Sequence, residues 1–146
     1  EAISNGINSF IVFEDDCSFH LNFENEISKL KSINDYKLIY LGGTQYGWGV
    51  DFLPNGFYNC NSTYGTFAYG AHKSCFHDIL SASSSMLHPI DNSLFEVQNK
   101  YRHKSYVIYP NVAIADLRES SIRDSRNMIS WSKKLRWNLK DYNIKI

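Results

Sequence analysis

The sequence has 146 residues, 43% hydrophobic and 15% aromatic, enough to bury one core and too few for two domains. Lys plus Arg and Asp plus Glu number 15 each, with no block of five like charges, which excludes a basic nucleic-acid footprint and an acidic tail. No apolar run approaches the roughly 20 residues of a bilayer-spanning helix, and the opening residues are not those of a secretory signal, so a soluble domain without a membrane span is expected.

Glu1 to Gly6 reads as the last turn of something already under way, closed by a glycine. Ser9 to Phe13 is a continuous apolar, β-rich run, the pattern of a strand buried on both faces of a mostly parallel sheet, and it ends in Glu14-Asp15-Asp16. From Asn22 to Ile33 the apolar positions Phe23, Ile27, Leu30 and Ile33 recur at helical spacing, with acids early and lysines late. Tyr36 to Leu41 predicts a second strand closed by Gly42-Gly43, followed by a long loop to Asn61 that is rich in glycine and aromatic residues.

Tyr64 to Gly70 predicts a short strand, after which Ala71, Cys75, Phe76, Ile79 and Leu80 form one helical stripe. Asp91 to Tyr101 predicts a helix with Leu94, Val97 and Tyr101 inward. Short strands follow at Tyr106 to Tyr109 and Val112 to Ala115 on either side of Pro110, and residues 127–146 predict a terminal amphipathic helix on Trp131, Leu135, Leu139 and Tyr142. Strands alternating with helices define an α/β fold, a Rossmann-like and largely parallel sheet flanked by helices, as a single domain over 1–146.

Four segments carry candidate chemistry. Glu14, Asp15 and Asp16 stand at the carboxyl end of a strand, where ligands bind in open α/β sheets. Hard oxygen ligands of this kind suit magnesium or manganese and, through the ion, a diphosphate. The alternative for the same acids is a solvated strand end. Gly65, Thr66 and Gly70 give a small-residue turn where backbone can approach a ligand closely, or simply a tight turn in the core. Asp91 opens a helical pattern after His88-Pro89-Ile90, which suits first an N-cap and, alongside it, a carboxylate that takes a proton from an acceptor hydroxyl.

The fourth segment is Pro110 to Arg126, where Asp116 offers a further metal ligand and Arg118, Arg123 and Arg126 offer charge for phosphates beside Ser120 and Ser121. The loop aromatics Tyr46, Trp48, Phe52, Phe57 and Tyr58 can stack on a sugar or base, or anchor the loop, and anchoring is expected for at least half of them. Three cysteines without a CxxC indicate neither a disulfide framework nor a zinc knuckle. They fit a reducing compartment such as the cytoplasm better than a secretory lumen. His72 and His77, five apart, lack the spacing of a zinc protease.

Taken in order, Ile11 to Asp16, Gly65 to Ala71 and Pro89-Ile90-Asp91 resemble motifs of glycosyltransferase family 25, which includes lipooligosaccharide (lipopolysaccharide-type) and collagen galactosyltransferases. The likeness spans roughly Ala2 to Arg126. Its closing motif is only partly matched, by Pro110 and Ser120-Ser121-Ile122, with Ser121 where the family often has Asp. The Asn-, Ile- and Tyr-heavy usage is similar to that of members encoded by large DNA viruses, which would put the protein in a viral factory or virion.

The resemblance implies a GT-A-like fold whose first strand and helix have no counterpart here. It also implies a UDP-hexose donor, UDP-galactose or UDP-glucose, and a glycan or hydroxylated protein as acceptor. Manganese, or magnesium, would be held by Asp16 with Asp15 and Asp116, with Glu14 and Asp15 flanking the metal or reaching the ribose and Asp91 as base. Two other readings stay open: an inactive glycosyltransferase-like module for assembly or glycan binding, and a phosphoryl-transfer domain using the same acids. A homo-oligomer is compatible with all three.

Overall fold

The computed structural model describes residues 1–48, 52–117 and 127–144. Among these residues eight strands and four α-helices follow one another as β1 (Ser9–Phe13), β2 (Cys17–Phe19), α1 (Phe23–Ser28), β3 (Leu38–Gln45), β4 (Phe52–Leu53), β5 (Phe57–Asn59), β6 (Thr63–His72), α2 (Phe76–Ser83), α3 (Ile90–Lys100), β7 (Ser105–Ile108), β8 (Ala113–Ala115) and α4 (Met128–Leu135). Six strands form one sheet in the order β1-β6-β3-β7-β5-β4, and β2 pairs with β8 in a separate two-stranded ribbon.

The fold is α/β with a mixed sheet, and the expectation of a mostly parallel one is corrected. Among the described residues only the β3–β7 pairing is parallel, while β1–β6, β3–β6, β5–β7 and β4–β5 are antiparallel. An apolar run reports burial, and burial does not carry strand direction. β1 is likewise an edge strand rather than one buried on both faces, and Ile11 is 44% exposed.

Several element bounds also move. Gly42 and Gly43 lie inside β3 instead of closing it, because the strand passes so near β8 that a Cβ on Gly42 would stand 2.1 Å from the Ala113 carbonyl oxygen. Ala71 belongs to β6, and the helix after it starts only at Phe76, following a 3-10 turn over Lys73–Cys75. The helix expected over Asn22 to Ile33 is α1 continued by a 3-10 turn, Lys29–Ser32. The terminal helix is α4, stopped by Arg136 in the left-handed conformation (φ 58°) and followed by a 3-10 turn, Leu139–Asp141. The long loop contains the β4–β5 hairpin.

Alternation along β3 and β7 splits the core in two. Ile39, Leu41 and Ile108 join Phe67, Ile114, Leu135 and Trp137 on the face covered by the β2–β8 ribbon and the C-terminal segment. Leu38, Tyr40 and Val107 join Cys75, Phe76, Ile79, Leu94 and Val97 beneath α2 and α3. Buried amides lock each side. Asn111 donates to the Ile108 carbonyl (2.8 Å) and accepts from the Trp137 indole N–H (2.8 Å), while its own carbonyl accepts from the Tyr142 hydroxyl (2.8 Å). On the other face Gln98 donates to the Thr63 carbonyl at 2.8 Å and to the Tyr40 hydroxyl at 3.4 Å.

Candidate functional site

The end of β1 is held by β6 and by the end of β8. Glu14 N–H donates to the Phe67 carbonyl at 2.8 Å, the Thr66 hydroxyl donates to Glu14 Oε1 at 2.8 Å, and Asp116 N–H donates to the Asp16 carbonyl at 3.3 Å. The Cys17 thiol donates to the Phe67 carbonyl at 2.9 Å, which fixes the turn out of the acid run. Gly65 allows this convergence: its φ is +86°, and a Cβ there would lie 2.7 Å from the Phe67 ring. Glu14, Asp15 and Asp16 are exposed and Asp116 half-buried.

Thus Glu14, Asp15, Asp16, Thr66 and Asp116 gather at one end of β1, with Gly65 shaping the turn. Gly70 sits further along β6, buried opposite Ile11. Arg118, Ser120, Ser121, Arg123 and Arg126 lie outside the described residues.

Asp91 is the second residue of α3 and not its cap, which corrects the N-cap expectation. Pro89 takes the cap position and no side chain caps there. The Asp91 carboxylate accepts from the next backbone N–H, that of Asn92, at 2.9 Å. Tyr40 and Tyr69 are register partners under α2 and α3. Burial raises the Tyr69 hydroxyl, and the negative charge of Glu14 adds to it. Burial raises Tyr40 well above its ordinary value, with the Asp91 charge among the smaller contributors. Glu14 and Asp91 therefore act on neighbouring tyrosines on the same face of the sheet. Sequence reading passed over Tyr69, although it lies within the turn motif that drew attention to Thr66.

An aromatic row borders this region. Phe95 of α3 stacks on Tyr64 (centroids 5.0 Å, 13°), and Tyr46 meets Tyr64 at 6.2 Å and Trp131 at 6.4 Å, each edge-on. Tyr46 is 53% exposed. The other loop aromatics anchor: Phe57 is buried, and Trp48 packs edge-on against Tyr58 and Tyr109 beneath Arg136. The side chain of Phe52 lies outside the described residues.

Among the described residues no group of three or more His, Cys, Asp or Glu is placed to hold a metal ion by itself. Exposed Asp16 and half-buried Asp116 are joined through their backbones, and their carboxylates are the oxygen donors a hard divalent ion would use in this region. Among the described residues no helix is long and apolar enough to cross a membrane. Compared with known proteins, the sequence matches no family model and no curated protein.

Proposed function

We propose that the protein is a metal-dependent glycosyltransferase that moves a hexose from a UDP-sugar to a hydroxyl acceptor. The observation that carries this reading is the convergence of Glu14–Asp16 with Thr66 and Asp116 at the carboxyl end of β1, with Asp91 on the helix-covered face of the same sheet. Asp16 and Asp116 would hold manganese or magnesium, which supplies positive charge to a leaving diphosphate. Glu14, oriented by Thr66, faces the donor side. Asp91 takes the proton of the attacking hydroxyl, and the exposed ring of Tyr46 in the aromatic row gives an acceptor sugar a surface to stack on.

The test is thermal stability with UDP and manganese added together, since two carboxylates alone make a weak site. The melting temperature should rise with the pair present, by more than with either component alone, and the rise should vanish in Asp16→Ala. No shift in the wild-type chain would sink the donor site. A second reading, a glycan-binding module without transfer, draws on the exposed Tyr46 ring of the aromatic row as a surface for stacking on a sugar. In that case a glycan, and not UDP with manganese, would raise the midpoint.

A further inference from the structure

Among the described residues no strand pairs with the outer edge of β1, and its outward groups can meet those of an antiparallel copy. Lys73 N–H donates to the Asn8 carbonyl and Glu14 N–H to the Phe67 carbonyl, so the even-numbered residues of this stretch bond β6. The backbone groups of Ser9, Ile11 and Phe13 therefore point away from the sheet, and no strand among the described residues pairs with them. Natural edge strands are guarded by a charge, a proline or a bulge, and Ser9–Phe13 contains none of these. Apolar side chains surround the edge. Ile11 and Phe19 are exposed near it, and Ile3 and Leu80 are exposed around a cavity of about 140 Å³ beside Phe10.

We propose that a second copy of this chain pairs with this edge, β1 against β1 in antiparallel register about a two-fold axis at Ile11. In that register Ile11 bonds Ile11 of the second copy and Ser9 bonds Phe13, so each outward N–H meets an outward carbonyl. Any edge strand with outward groups at every second residue can pair with itself in this way, and what selects a second copy here is charge. Phe10 lies opposite Val12 on the helix-covered face.

The charges agree with the same register. Glu14 of one copy falls opposite Asn8 of the other, where the Lys73 ammonium already donates to the Asn8 amide oxygen at 2.7 Å. Each acid run is thereby flanked by a lysine of the other subunit. Ser9–Phe13 itself carries no charge, so the paired strands set no like charges against each other.

Sedimentation equilibrium over a wide concentration series decides it, and the readout is mass, independent of any catalytic reading. The wild-type chain should show a monomer–dimer equilibrium. Ile11→Pro removes one outward N–H without touching a β6 bond, and Ile11→Lys sets two cations face to face; each should raise the dissociation constant roughly tenfold or more with an unchanged circular-dichroism spectrum. Should either fail to fold, the charge swap decides: Glu14→Lys or Lys73→Glu alone weakens the dimer, and the double variant restores it. A monomer at every concentration, including one whose edge is taken by another segment of the polypeptide, overturns the proposal. So does a dimer indifferent to both the Ile11 variants and the swap.

Discussion

Asp91 sits one residue inside α3, where its charge faces the positive end of the helix and its carboxylate accepts from a single backbone amide. Replacing it by Asn keeps an acceptor and removes the charge, at a cost of about 0.3–1 kcal/mol. If Asp91 is the base, the same change removes proton acceptance and lowers the transfer rate by roughly 10²–10⁴-fold. Asp91→Asn should then show a nearly unmoved denaturation midpoint beside a collapsed rate with saturating UDP-hexose. A rate within a few-fold of wild type would leave Asp91 a helix-dipole residue only. At this scale the place of Glu14–Asp16 at the end of β1 was legible, because an apolar run that stops at three carboxylates marks a strand end. The cross-strand pairing of Tyr69 with Tyr40 was not, because no local pattern encodes which strands pair.

Among the elements, the existence of β1, β3, β6 and the helices follows from apolar runs and helical spacing, whereas direction and neighbours do not. β6 is expected as a strand from Tyr64, yet its place between β1 and β3, antiparallel to both, depends on where the chain crosses over. The glycine pair in β3 illustrates why bounds slip. Glycine reads as a breaker in sequence, but here it permits close packing of a sheet on a ribbon. Gly42→Ala puts a methyl group against the Ala113 carbonyl and the Phe67 ring, at distances of 2.1 and 2.5 Å, with backbone on one side that cannot swing away. The expected loss is about 1–3 kcal/mol, read from the shift in urea midpoint at constant slope. An unshifted midpoint would mean that β8 yields more readily than its packing implies.

Over the whole molecule, the three cysteines are free thiols, Cys60 and Cys75 buried and Cys17 half-buried, in surroundings that resist their ionisation. Cys17 is pushed up to about 12, first by burial and then by the neighbouring Asp16 charge. Cys75 is pushed to about 11, again mainly by burial, and burial lifts Cys60 further still. The sign of the resulting pH dependence follows from proton counting. In the unfolded chain the thiols ionise near their ordinary value of 9.0, while the folded chain keeps them protonated, so between these values the folded state binds more protons. Their contribution to stability is complete below about pH 8.5 and is lost as pH rises toward the folded values, by up to about 1.4 kcal/mol per pH unit for each thiol. Buried Tyr40 and Tyr142, both raised by desolvation, extend the decline at still higher pH. Urea unfolding under reducing conditions should therefore show stability falling steadily from about pH 9 to 10.5. Cys60→Ala, whatever it costs in packing at neutral pH, should make that decline shallower by one thiol's share. Equal slopes in the two proteins, or a flat wild-type profile across this range, would show that the Cys60 thiol is not held protonated by the fold.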